Sequence, residues 1–260
     1  MSEIALKPTY WASVSGGKDS LYMLKLILEN LDKYPLDGVV HFELEIDFPF
    51  IKDVVNYMEQ ECKKIGVRFV RIKPRQTFSE LYAKYGFPSR TFSWCNSKYK
   101  LDAQKQLVEF MKSLGYNTIF YIGYCKDEVA RYSKRVKLNE RYPLVENNII
   151  EDQILDWAKE VPIFNDYYRY TKRCGCMYCP LASYLTMAYV LKYYPKQYEE
   201  MIQMMRETEQ TVTEKYKHKG YSKPFTIKGG TATADYVDWI VRTKWLKILN
   251  RNKGKPKKLI

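Results

Sequence analysis

The run Ser15-Gly16-Gly17-Lys18-Asp19-Ser20 concentrates residues whose types and spacing could handle an anion. Two glycines let the backbone approach a phosphate closely, two serines bring hydroxyl donors, and Lys18 brings a positive charge. Residues 10–14 just ahead read as a short buried strand. Leu21, Met23, Leu24, Leu26, Ile27 and Leu28 behind recur as the apolar face of a helix would. A strand, a tight turn and a helix N-terminus together make an anion site, because the first helical N–H groups lack intrahelical partners and point at the ligand. The run is not a P-loop, whose glycine to Gly-Lys-Ser/Thr spacing is absent.

A second constellation is made of thiols. Cys174, Cys176 and Cys179 fall within six residues, beside Gly175 and Pro180. Such Cys-x-Cys and Cys-x-x-Cys spacings let thiolates converge on one ion from a turn. Cys95 is distant in sequence but lies in a loop block that could supply a fourth ligand. Four thiolates suit tetrahedral zinc or a [4Fe–4S] cluster, and spacing does not separate the two. Cys62 lies in an apolar helix and reads as core. The only histidines are His41 and His218, so histidine-based metal or general-base schemes have little material, and His41 reads as a satisfied strand residue.

The elements that must position these residues alternate. Strands are expected at residues 38–44, 67–72 and 118–122, with helices starting at Phe48-Pro49 and crossing 98–114. Alternation of this kind predicts an α/β fold, a doubly wound and mainly parallel sheet with flanking helices. Ligands in such sheets sit beyond the strands' carboxyl ends, so the loops after Val14, Leu44, Ile72 and Ile122 should line one site. The Met and Tyr residues of 183–216, among them Met187, Tyr193, Tyr198, Met201 and Met205, read as helix core of a small C-terminal helical addition.

The chain has 260 residues and a net charge of +13, unevenly placed. Residues 214–260 hold thirteen Lys/Arg against Glu214, Asp235 and Asp238, a net of +10. Aromatic residues such as Tyr221, Trp239 and Trp245 interleave with that charge, a mixture that can track phosphates while stacking bases. The basic tail 214–260 is therefore a candidate contact for a nucleic-acid acceptor. Trp239, Ile240, Trp245, Leu246 and Ile248 could instead form a buried helix face. No apolar run is long enough for a membrane span, and no charged-then-apolar leader is visible, so a cytoplasmic location with reduced thiols is the expectation.

The hexapeptide at 15–20 resembles the SGGKDS signature of the PP-loop, or N-type ATP pyrophosphatase, superfamily. Further blocks resemble its phosphoadenosine phosphosulfate (PAPS) reductase-like, sulfurtransferase-related branch. These are the acidic stretch Glu45-Ile46-Asp47-Phe48-Pro49; Phe87-Pro88-Ser89 with Trp94-Cys95-Asn96 and Lys100; and Gly123 with Asp127-Glu128 and Arg131. Tyr142-Pro143-Leu144 before a helix at about 151, and Cys174–Cys179 with Pro180, complete the series. The resemblance covers roughly residues 8–200, and it departs at Cys125, where the family carries Arg and where Lys126 is the adjacent substitute.

The resemblance implies an adenine nucleotide α-hydrolase-like domain at 1–182 and a helical, basic region at 183–260. It implies ATP with Mg2+, cleavage between the α and β phosphates, and an acceptor activated as its adenylate for sulfur transfer. Ser15, Gly16, Gly17 and Ser20 would hold the pyrophosphate unit, Lys18 would offset its developing charge, and Asp19 would orient the loop or hold magnesium. Arg131, Asp127 and Lys100 would serve the far end of the nucleotide. Reductases proper attack with a cysteine near the C-terminus, whereas the last cysteine here is Cys179. A PAPS reductase-type oxidoreductase and a nucleotide-gated nucleic-acid-binding module are the alternative readings.

Overall fold

The computed structural model describes residues 6–132, 139–164, 166–219, 225–228 and 232–251, all with side chains except 131, 132 and 216. The basic stretch 252–260, with Lys253, Lys255, Lys257 and Lys258, lies outside the described residues, as does Tyr221.

Five strands are described: β1 (Lys7–Val14), β2 (Gly38–Phe42), β3 (Phe69–Ile72), β4 (Tyr116–Tyr121) and β5 (Glu140–Arg141). They form one sheet in the order β3-β2-β1-β4-β5, every pair parallel. This is the doubly wound α/β sheet that the alternation predicts. The chain winds outward from β1 to β3 and then returns to place β4 on the other side of β1, which puts a topological switch point between β1 and β4.

Twelve α-helices are described. The first unit carries α1 (Lys18–Leu28), α2 (Pro49–Lys64), α4 (Leu101–Ser113), α5 (Val129–Tyr132), α6 (Pro143–Glu146) and α7 (Glu151–Glu160), while α3 (Phe78–Tyr85) belongs to the second. The remaining helices are α8 (Tyr167–Tyr170), α9 (Tyr184–Tyr193), α10 (Pro195–Lys217), α11 (Ala234–Ile240) and α12 (Leu246–Arg251). Helix α2 begins at the predicted Pro49, whose fixed φ and missing N–H suit a first helical position. The single helix expected over 98–114 is instead a π-helical turn, Cys95–Lys100, followed by α4.

Contacts divide the chain into two compact units. The first comprises Met1–Leu44, Phe48–Arg75 and Lys100–Tyr168; the second comprises Glu45–Asp47, Gln76–Tyr99 and Arg169–Ile260. In the first, Leu107 and Met111 of α4 pack on Trp11, Val40 and Phe120 of the sheet. Trp11 pairs with Gly38 in register, and a Cβ there would stand 2.7 Å from the indole ring. Cys62 is fully buried, as its helix position predicts.

In the second unit, Met187, Tyr198, Met201, Ile202 and Met205 are buried between helices α9 and α10, whereas Tyr193 is exposed. The expected buried face of the last helices is corrected by the structure. Ala234, Val237, Val241 and Leu249 are the buried positions, and Trp239 remains 57% exposed. The helical phase explains the difference: Val237 and Val241 lie four residues apart on one stripe, which leaves Trp239 on the opposite side.

Candidate functional site

The turn 15–20 joins the carboxyl end of β1 to α1. Gly16 adopts φ +77°, and a Cβ at that position would lie 2.7 Å from Cγ2 of Ile51. Two independent constraints therefore demand glycine, the left-handed backbone and the close approach of α2. The turn is braced from within. Ser20 Oγ donates to the Gly17 carbonyl at 2.9 Å and accepts from the Ser15 amide at 3.2 Å, while Ser15 Oγ accepts from the Gly17 amide at 3.4 Å. The loop after β4 presses on the same helix start, since a Cβ on Gly123 would meet the Asp19 carbonyl oxygen at 3.0 Å.

Lys18 is buried, and its amide donates to the Tyr168 hydroxyl at 2.8 Å. Its Nζ stands 2.6 Å from Asp19 Oδ1, 3.6 Å from Glu151 Oε1 and 5.9 Å from the Tyr168 ring centre. An ammonium held between two carboxylates at a helix N-terminus is a charge cluster that phosphate oxygens and a divalent ion could share. One or two carboxylates plus substrate phosphates is the usual donor set for magnesium, so Asp19 and Glu151 fit that ion.

Cys125 occupies the position where Arg was expected, and its Sγ lies 3.7 Å from Asp19 Oδ1. Burial first, then the Asp19 charge, pushes this thiol well above the ordinary cysteine range. Lys126 is directed elsewhere: its Nζ donates to Asn148 Oδ1 at 2.8 Å. Asp127 accepts the Glu151 amide at 3.0 Å and thereby caps α7. Arg131 falls on α5, and its side chain lies outside the described residues. Lys100 closes the π-helical turn ahead of α4.

His41 is a residue whose service to the turn has no sequence signal. It sits on β2 with Nδ1 3.0 Å from the Val14 carbonyl oxygen, which immediately precedes the turn. Its pKa is lowered, chiefly by burial. Because Val14 offers an acceptor, Nδ1 carries the proton and the ring is a neutral donor. Tyr168 and Glu151 were likewise unassigned in the sequence, because each reaches Lys18 across more than 100 intervening residues.

The cysteine loop belongs to the second unit. Met177 N–H donates to the Ile46 carbonyl at 2.8 Å, and Ala182 N–H donates to the Cys179 carbonyl at 3.0 Å. The Phe78 ring packs against both Trp94, at 5.2 Å, and Tyr178, at 5.6 Å. Phe78 thus ties the block preceding Cys95 to the loop of Cys174, Cys176 and Cys179. Cys176 is buried, and the other three are half-buried. Among the described residues, no group of three or more His, Cys, Asp or Glu side chains stands close enough together to hold a metal ion.

The model of the phosphoadenosine phosphosulfate reductase domain matches residues 9–183. Two uncharacterized proteins of Methanocaldococcus jannaschii are similar: MJ0066 at 24% identity over 78% of this chain, and MJ0973 at 26% over 75%. The aligned regions are 42% and 47% of those proteins, so the chain spans less than half the length of these relatives. A solved structure, the U34-tRNA thiolase NcsA from Methanococcus maripaludis with its [4Fe-4S] cluster, aligns at 16% identity. That alignment has a TM-score of 0.41 and covers 77% of this chain and 71% of that one.

Proposed function

We propose that this chain, which belongs to the phosphoadenosine phosphosulfate reductase domain family, binds ATP at the turn 15–20 and adenylates an acceptor for sulfur transfer. The observation that carries the reading is Gly16, left-handed and pressed against Ile51 at the switch point of the sheet. That geometry sets the tight turn that brings the start of α1 to the carboxyl end of β1, where a phosphate would compete for the amides now held by Ser15, Ser20 and Tyr168.

In the proposed reaction an acceptor oxygen attacks the α-phosphorus, and the bond to the β-phosphate bridging oxygen breaks. Pyrophosphate leaves with the electron pair. A sulfur nucleophile then attacks the activated carbon, and AMP departs with its oxygen. Ser15 and Ser20 orient the pyrophosphate unit through their hydroxyls, and Lys18 neutralises charge that develops on it. Asp19 and Glu151 keep Lys18 in place and are the carboxylates available to magnesium, which when bound would offset phosphate charge.

Cys174, Cys176 and Cys179, with Cys95 as a fourth donor, are the proposed ligands of zinc or a [4Fe–4S] cluster. Thiolate donors suit either, and a cluster would supply sulfur chemistry whereas zinc would knot the loop. No step of the reaction above is assigned to that centre. Anaerobic purification with an absorption spectrum and metal analysis distinguishes the two. The activity itself is tested by pyrophosphate release from ATP with candidate acceptors. Turnover that survives the combined Asp19→Ala and Ser20→Ala changes would overturn the reading. Sulfite release from PAPS with a thiol donor would point to the reductase chemistry instead.

A further inference from the structure

The second unit contains a pocket of about 710 Å³ whose lining includes Arg90, Leu181, Tyr184, Lys228 and Trp245. Its size suits a nucleotide-scale group. The Tyr184 and Trp245 rings lie 6.3 Å apart at 37°, and both residues are half-buried at the pocket wall. Lys228 is held against this aromatic wall: its Nζ donates to the Ala182 carbonyl at 2.6 Å and the Pro180 carbonyl at 3.0 Å, and lies 5.5 Å from the Tyr184 ring centre. An ammonium has three N–H donors, and two are used here.

The helix that precedes Trp245 in the chain carries a second aromatic pair. On α11, Tyr236 pairs with Trp239 at 5.9 Å. Both Tyr236 and Trp239 are exposed, although α11 buries Ala234 and Val237 on its other side. Exposed aromatic rings that pair with each other beside a pocket offer flat faces on which a partner's rings could stack. Lys244 lies 5.9 Å from the Trp245 ring, and the segment 214–260 carries the net charge of +10 counted above.

We infer that this surface binds a single-stranded nucleic acid, with one unpaired base stacked in the pocket on Tyr184 and Trp245. Arg90 and Lys228 face its phosphates, and Tyr236 and Trp239 carry the neighbouring bases. Every base offers a π-face, so stacking of this kind tolerates many sequences, while the cations track the backbone. A duplex keeps its bases stacked on one another and cannot use the pocket. The inference adds an acceptor class to the adenylation reading but is tested without ATP, so that failure of either leaves the other standing.

The experiment is fluorescence anisotropy of the full chain with a labelled 15-nucleotide single strand, its duplex, and AMP as competitor, over a salt series. The single strand is expected to bind more tightly than the duplex. Trp245→Leu should weaken it by roughly 5- to 150-fold, the range for one stacked base. Arg90→Gln should make the log–log salt slope shallower by about 0.7. Trp245 touches Tyr184 and its loss could disturb folding, so Trp239→Ala at an exposed site is the second variant, also expected to weaken binding. Circular dichroism checks that both are folded. Equal strand affinity for folded Trp245→Leu, Trp239→Ala and the parent protein overturns the inference. So does tighter binding of the duplex, or no binding of the single strand at the lowest salt of the series.

Discussion

The Lys18 ammonium, 1% exposed, stands 2.6 Å from the carboxylate of Asp19, the next residue in the chain. Adjacent helical residues do not normally face each other. They do so here, where Glu151 also approaches the same Nζ to 3.6 Å and the Tyr168 hydroxyl accepts the Lys18 amide. The lysine of the turn is thus held at rest by its own acid neighbours. A phosphate must compete with them for it.

Replacing that ammonium by an apolar chain of similar length separates its two roles. Lys18→Met leaves Asp19 and Glu151 facing one another without a counter-charge. Unfolding in urea should show a loss of about 1–3 kcal/mol, below the value for a fully buried pair because both carboxylates are part exposed. Pyrophosphate release should fall on the order of 100-fold or more, the usual cost of losing one charge-stabilising donor. A variant as stable and as active as the parent would show that the cluster is ornamental.

Two glycines of similar backbone separate strain from crowding. Gly16 and Gly66 have φ of +77° and +72°, but a Cβ on Gly66 would meet nothing within 4 Å. Gly66→Ala should cost about 1–2 kcal/mol for the left-handed backbone alone. Gly16→Ala should cost about 1–3 kcal/mol more because of Ile51, and should also abolish ATP binding. Thermal melts and nucleotide titration of the pair measure both. Equal stability losses would mean that α2 yields freely around the turn.

The parts of the fold that were legible in the sequence are those written in contiguous residues. The strand before Ser15, the start of α2 at Pro49 and the run of β4 each carry their pattern locally. β5 left no pattern because it is only Glu140 and Arg141, recruited to an edge by pairing with Phe120 and Tyr121. The strand, turn and helix around 15–20 were legible, but the wiring of the turn was not. Tyr168, Glu151 and His41 act on it from elsewhere in the chain, and nothing in their own neighbourhoods marks them. Cys125 shows the converse: its departure from the family pattern was plain, whereas its contact with Asp19 emerges only when Gly123 folds against α1.

His41 makes stability depend on pH in a definite direction. Burial lowers its folded pKa below the unfolded value of about 6.5, so the unfolded chain binds the proton first. Its contribution is complete above pH 6.5 and is lost as pH falls from there toward the folded pKa. Urea midpoints should therefore decline between pH 7.5 and 5.5, and His41→Gln should flatten that part of the decline. ATP binding by the variant should weaken at every pH, because the donor that fixes the Val14 carbonyl has been altered. A decline of equal steepness in His41→Gln would assign it to other groups.

The six cysteines should divide into two classes under alkylation at pH 8. The thiol reacts as its thiolate, so burial that raises the pKa suppresses reaction twice, by charge and by access. Cys62, pushed up to about 12 by burial and by the Glu59 and Glu61 charges, should be inert in the native protein. Cys125 should be inert for the same first reason, with Asp19 in place of the helix glutamates. Cys95, Cys174 and Cys179 are half-buried and should label in chelator-treated protein, with buried Cys176 slower. Zinc added under anaerobic conditions should then protect those four together while leaving Cys62 and Cys125 unchanged, as mass spectrometry of peptides would reveal. Protection of Cys174, Cys176 and Cys179 without Cys95 would remove Cys95 from the ligand set. Rapid native labelling of Cys125 would contradict the packing of the β4 loop against the first turn of α1, and with it the bracing of the turn 15–20 on that side.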